Sequence, residues 1–298
     1  MKEIIQLDCI DKYNKLYGLE TQHPLVAVID LTQASHIVNH IRMTYGLYAL
    51  YLKNGVQCTL HYGRQLYDYQ EGTIVSFAPG QTVGVDSDED EMKPEVRGLL
   101  FHPDLIYGTP LAEHISQYTF FDYGQTESLH LSETERQMIL DLFENTRSEL
   151  NHPVDRHSQN IIVDRIKLIL DYCMRFYDRQ FVTRHKANSD ILIKFEADLK
   201  EYLNSKQTEL TGLPTVAYFA DRACLSPGYF GDLIKKETGM TAQHHIQQKV
   251  IERAKQHIRA GQLTINQIAT LLGFQYPQHF IRLFKRETGL TPREYRLS

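Results

Sequence analysis

Four cysteines and fourteen histidines are the side chains in this 298-residue chain most able to do chemistry, yet their spacing gathers none of them into a site. Cys9, Cys58, Cys173 and Cys224 form no C-x-x-C pair and have no histidine at zinc-finger spacing. That pattern suits reduced thiols rather than a disulfide frame or a zinc site. His61 has no second histidine beside it, and His23, His36, His40 and His102 are scattered. No Ser/His/Asp or Cys/His arrangement can be placed, so no catalytic residue, metal or cofactor is expected. Charge is the more telling signal. The first 208 residues hold 20 Lys and Arg against 30 Asp and Glu, while the last 90 hold 12 against 7, within a chain whose net charge is −5. A basic segment joined to an acidic one points to a polyanion as partner of the C-terminal part alone. Within that part the pairs Lys235-Lys236 and Lys285-Arg286 recur at a spacing of 50 and are suited to phosphate.

The elements that would carry these pairs are repeated too. At an offset of 50, residues 227–241 (PGYFGDLIKKETGMT) and 277–291 (PQHFIRLFKRETGLT) agree at eight positions of fifteen. Upstream the offset drops to 49, so the second copy has one extra residue in its central turn. Thr264 with Gln267 reads as a capping box, and Ile265, Ile268, Ala269 and Leu272 share one helical face. Gly273 can take the positive φ that ends this helix. Tyr276-Pro277 opens the next, which buries Phe280, Leu283 and Phe284 and stops at Gly289. The first copy repeats the plan, with Ser226-Pro227 as cap and first turn and Gly239 as stop. Tyr229 and Phe230 fall at core spacing. Helix, short turn, helix is the unit that places its second helix in a DNA major groove. Between the copies, residues 242–260 predict a helix with Ile246, Val250, Ala254 and Ile258 on one stripe. At 1.5 Å per residue it spans roughly 28 Å, close to the roughly 34 Å of one DNA turn.

These last hundred residues resemble the DNA-binding domain of AraC/XylS transcription regulators, most specifically in the stretch IATLLGFQYPQHFIRLFKRETGLTPREYR, residues 268–296. The resemblance implies docking across one DNA turn. It also implies that exposed residues early in each second helix touch bases: Gly228, Gly231 and Asp232 in the first unit, Gln278, Ile281 and Arg282 in the second. Gln278 and Arg282 can make two-point contacts to adenine and guanine. Two glycines and an aspartate cannot, and here the chain departs from the usual pattern. Ser226, Lys235, Lys236, Lys285 and Arg286 are the expected backbone contacts.

The N-terminal half reads as short strands at about 25–29, 44–52, 56–62, 73–78, 81–85 and 96–101, rich in β-branched and aromatic residues. Asn54-Gly55 is a hairpin turn signal. The stretch YDYQEGTIVSFAPGQT resembles the cupin-like sensor barrel of the same regulators. That resemblance implies a small-molecule effector, for which Tyr45, Tyr62 and His61 are the candidate contacts. The run at 86–91, five acids in six, reads as a solvated loop. Helices are expected at about 132–150, opened by the Ser132/Glu135 capping box, and at 155–178.

The expected fold is therefore α+β in two domains: a cupin-like β-barrel over 1–131 with a helical packing or dimerisation segment at 132–182, a linker at 183–190, and an all-α double helix-turn-helix domain at 191–298. The two units fall at about 214–239 and 264–289, with the linking helix at 241–260. The opening MKEIIQLD meets acids before any long apolar run, and no apolar stretch approaches the roughly 18–20 residues of a bilayer span. The expectation is a cytoplasmic, effector-controlled transcription regulator, an activator in the family pattern. Its partners would be an operator duplex, a second copy of itself, RNA polymerase, and no membrane. The alternative is a cupin-type binding protein or enzyme with a DNA-binding appendage.

Overall fold

Along Tyr48–Lys53 successive side chains alternate between two apolar environments, and this strand is the middle of the N-terminal sheet. The computed structural model describes residues 4–36, 38, 41–53, 72–85 and 95–297. Its elements before the first long helices are β1 (Ile4–Leu7), α1 (Ile10–Tyr17), β2 (Val26–Asp30), β3 (Ile41–Tyr45), β4 (Tyr48–Lys53), β5 (Gly72–Phe77), β6 (Thr82–Val85), β7 (Val96–Phe101), the short α2 (Pro103–Ile106) and α3 (Pro110–His114), and β8 (Leu129–Leu131). Five strands pair antiparallel in the order β2-β7-β4-β5-β8, with Leu50 opposite both Ser76 and Leu99. Three more form a second sheet, β1-β3-β6, in which β1 runs parallel to β3. No pairing among the described residues closes these two sheets into a barrel.

The five-stranded sheet is covered on both faces, which explains why β4 reads as nearly continuous apolar sequence. Leu50, Leu52, Ile74, Leu99 and Phe101 point to one core, shared with α4 (Glu133–Leu150) and α5 (Ser158–Thr183). Ala49, Tyr51, Val75, Phe77 and Leu100 point to the other, shared with α1 and the second sheet. Ser132 caps α4 reciprocally with Glu135. Arg179 of α5 then grips the same Glu135 through two hydrogen bonds of 3.0 Å, tying the two helices together.

One strand expected over 44–52 is two. Tyr45 ends β3 and the chain turns at Gly46-Leu47, because Gly46 N–H donates to Leu7 O at 2.8 Å and packs on the Asp8 backbone. A Cβ there would stand 2.9 Å from Asp8 Cα, so the turn requires glycine. β1 and α1 had no counterpart in the sequence reading. The expected turn at Asn54-Gly55, the strand at 56–62 and the acidic loop at 86–91 lie outside the described residues.

The chain divides into two compact units, Met1–Thr183 and Arg184–Ser298. The second holds α6 (His185–Asn204), α7 (Gln207–Thr211), α8 (Val216–Arg222), α9 (Pro227–Thr238), α10 (Ala242–Ala260), α11 (Ile265–Leu271), α12 (Pro277–Thr288) and α13 (Pro292–Leu297). The polar segment at 183–190, expected as a linker, is instead taken up almost entirely by the last residue of α5 and the first turns of α6. Residues 183–203 contain no glycine or proline to stop a helix, and Asn188 is fully buried within it. Phe195 of α6 sets its ring 5.0 Å from Phe219 and 5.3 Å from Phe230, centre to centre, and so anchors the first helix-turn-helix.

Candidate DNA interface

Both helix-turn-helix units are built from local signals. Thr215 caps α8, accepting from Tyr218 N–H, and Ser226 caps α9, accepting from Tyr229 N–H, with Pro227 in the first turn. In the second unit Thr264 and Gln267 form a reciprocal box at the start of α11. Gly239 and Gly289 end α9 and α12 in the left-handed conformation. Four residues separate α8 from α9 and five separate α11 from α12, which is the one-residue difference between the repeats.

The two turns differ in chemistry. The second passes through Gly273 at φ +89°, where an added Cβ would lie 2.6 Å from Gly212 C and 2.8 Å from Thr208 O. The first passes through Cys224 at φ 56°, an exposed residue and the one described non-glycine with positive φ.

On α12, Phe280 and Phe284 are fully buried while Gln278, His279, Arg282, Lys285 and Arg286 are exposed, and Ile281 is half-buried. Leu283, expected in the core, is half-buried. Arg282 makes no hydrogen bond or ion pair to a described residue, so its guanidinium is available. Arg286 is engaged: Nη2 donates to Gln247 Oε1 at 2.7 Å, and Nε to Glu287 Oε1 at 2.9 Å. On α9 the pattern is blunter. Tyr229 and Phe230 are buried, Gly228, Gly231 and Asp232 are half-buried, and Lys235 and Lys236 are exposed. A Cβ added at Gly231 would meet nothing within 4 Å. At the offset of 50 the first unit thus presents open space at Gly231 where the second has Ile281, and an aspartate, Asp232, where the second has Arg282.

Several cations of this unit have partners within it. Arg222 holds Asp198 through two hydrogen bonds of 2.9 and 3.0 Å, which keeps that carboxyl below the usual carboxylate range. Lys249 pairs with Glu252 at 3.0 Å, and Arg296 donates to Leu263 O at 2.7 Å. His245, on α10, is 7% exposed and lacks a hydrogen bond at either ring nitrogen, although Glu196 Oε1 stands 3.4 Å from Nε2. Burial holds its pKa below the ordinary histidine value.

In the N-terminal unit Tyr45 is 3% exposed, and its hydroxyl meets that of Tyr51 at 3.0 Å. It belongs to a packed core with Phe77, so it does not line an open pocket. Burial raises its pKa well above the usual tyrosine value. His61 and Tyr62 lie outside the described residues. Among the described residues no cluster of His, Cys, Asp or Glu could hold a metal ion, and no helix is long and apolar enough to cross a membrane.

Residues 219–298 match the family model described as a helix-turn-helix domain. Over 113 residues the chain is 29% identical to the HTH-type transcriptional activator RhaR of Yersinia pseudotuberculosis, covering 38% of this chain and 39% of that one. Over 82 residues it is 33% identical to the HTH-type transcriptional regulator YobQ of Bacillus subtilis, covering 28% and 34%. The chain therefore spans about two fifths or less of these relatives. Among solved structures, the C-terminal domain of the response regulator yesN from Fusobacterium nucleatum aligns with 27% identity, 36% of this chain, 98% of that one and a TM-score of 0.32. ToxT from Vibrio cholerae aligns over 92% of this chain and 98% of its own at 11% identity, with a TM-score of 0.30.

Proposed function

We propose that this chain, whose residues 219–298 form an AraC-type helix-turn-helix domain, is a sequence-specific DNA-binding transcription regulator that sets α9 and α12 into successive major grooves. The observation that carries this reading is Arg282: exposed, without an internal partner, and on the side of α12 opposite Phe280 and Phe284. An arginine so placed reads guanine through two parallel hydrogen bonds, Gln278 reads adenine, and Ile281 suits a thymine methyl. Lys235, Lys236 and Lys285 face phosphate, and Ser226 adds a hydroxyl. Gly228, Gly231 and Asp232 make the first unit a reader of shape and of backbone approach rather than of base edges. The separate fold of residues 1–183 supports a division of labour in which that unit senses a small molecule. A cupin-like barrel, pairing of two copies through the α4–α5 face, contact with RNA polymerase and a cytoplasmic site complete the proposal.

The test is binding of Arg282→Ala to selected and scrambled duplexes. A lost two-point contact is worth about 1–3 kcal/mol, so affinity for the selected duplex should fall roughly 5- to 150-fold while affinity for the scrambled one changes little. Equal losses on both duplexes would place Arg282 on phosphate and overturn its role as base reader.

A further inference from the structure

A cleft of about 350 Å³ lies between α10 and α12 on the flank of the second recognition helix. Ile246, Val250 and Leu283, with Leu213, Pro214 and Phe274 from the neighbouring connections, make its apolar lining. Its polar lining comes from Gln243 and Gln247 of α10 and from His279, Arg282 and Arg286 of α12, with no carboxylate among them. Arg286 is pinned at the rim by Gln247 Oε1 at 2.7 Å, which leaves the Gln247 amide NH₂ as a donor. Gln243 and His279 are exposed, and their side chains make no hydrogen bond to a described residue, the His279 ring standing edge-on to Tyr276 at 5.6 Å between centres. Amides, an imidazole and guanidinium groups over an apolar floor suit an anion carried on a sugar: a phosphodiester.

The placement says which one. A helix in a major groove is flanked by two sugar–phosphate backbones. The flank of α12 facing α10 looks toward the first helix-turn-helix, because α10 is the spacer between the units and its 19 residues run roughly 28 Å. Two backbones with the minor groove between them divide the successive major grooves, and the strand on that side is the nearer of the two. Arg282 stands where the cleft meets the face that reads bases, so the cleft is continuous with that face.

We propose that the α10–α12 cleft seats this dividing strand, with Gln243, Gln247 and His279 donating to one or two of its phosphates and Leu283 lying under a deoxyribose. The inference rests on the DNA-binding reading above and adds a backbone site that reaches onto the spacer helix. It also gives Arg286 a second task, holding Gln247 in place.

The experiment uses the full chain and a duplex enriched by in vitro selection. Single phosphates between the two half-sites are replaced by uncharged methylphosphonates, one at a time. One or two neighbouring replacements should weaken wild-type binding roughly tenfold each, the scale of a hydrogen bond to a charged group. In the double variant Gln243→Ala/His279→Ala, which keeps Gln247, the same replacements should cost several-fold less than in the wild type, while replacements elsewhere keep their effect. Silence of every phosphate between the half-sites in the wild type would overturn the inference without recourse to any variant. A double variant as sensitive as the wild type to the same phosphates would do so too. Failure to enrich any duplex would sink the DNA-binding reading itself, whereas an enriched duplex with silent dividing phosphates sinks only the cleft.

Discussion

Replacing Gly231 by alanine separates the folding of the first helix-turn-helix from its use. Gly231 is the fifth residue of α9, and a methyl there enters open space. Glycine within a helix is less favourable than alanine by about 0.8–1.0 kcal/mol, mostly through backbone entropy. With no overlap to offset it, most of that difference should appear as stability, about 0.5–1 kcal/mol. For a unit of this size the melting temperature should rise roughly 2–6 °C. The effect on DNA should have the opposite sign. A glycine facing a groove allows the backbone close to base edges, and a methyl at that point holds the helix off. Thermal denaturation followed by circular dichroism gives the first quantity. Fluorescence anisotropy with selected and scrambled duplexes, at one fixed salt concentration, gives the second. Higher stability together with at least a few-fold loss of specific affinity is expected. A variant that is more stable and binds as well as the wild type would show that α9 does not approach DNA at Gly231. A less stable variant would refute the open helical position.

Gly273→Ala should behave in the contrary way. Its methyl would overlap the backbone of residues 208–213 at a left-handed φ, so a loss of about 2–5 kcal/mol is expected in chemical denaturation, and a loss under about 1 kcal/mol would contradict the packing. Asp232→Asn removes an anion from the DNA-facing side of α9 and should leave specific affinity unchanged or raised while increasing non-specific binding. A loss as large as that of Arg282→Ala would instead make Asp232 a base reader. His245 has its pKa lowered by burial, against the opposing pull of Glu196 and Glu252 and with Lys249 and His244 adding to the lowering. Its contribution to stability is therefore present above the unfolded-state value of about 6.5 and is lost as pH falls below it. The melting temperature should drop more between pH 8 and 5.5 in the wild type than in His245→Gln, and parallel curves would remove His245 from the acid response.

The C-terminal unit was legible because its determinants are local. Caps at Ser226 and Thr264, stops at Gly239 and Gly289, and the spacing of Phe280 and Phe284 all act within one or two turns of chain. Even the extra residue of the second turn could be read from the change of offset. The start of α6 was missed because its first turns are polar, and polar residues without glycine or proline are as compatible with helix as with linker. The break at Gly46 depends on contact with Leu7 and Asp8, nearly forty residues away, and nothing in the local pattern announces it. α1 carried a signal that was overlooked, namely Ile10, Tyr13, Asn14 and Tyr17 on one face before Gly18. Asn14 obscured it, being a polar residue buried through hydrogen bonds to Glu20 O and Thr21 Oγ1 at 3.2 and 3.0 Å. At the candidate interface, Arg282 and Gln278 were named by the resemblance to the AraC/XylS regulators, carried over position by position. Gln243 and Gln247 could not be, because what makes them neighbours of α12 is the crossing of two helices, with Gln247 and Arg286 39 residues apart.

The central claim is that two recognition helices of unequal chemistry dock one DNA turn apart. In vitro selection with the full-length chain from a randomised duplex library, followed by alignment of the enriched sequences, tests it directly. Two blocks of preferred bases are expected with centres about 10–10.5 base pairs apart, the block under α12 sharply defined with a guanine read by Arg282, the block under α9 weaker. A single contiguous block, or two equally sharp blocks at another spacing, would contradict it.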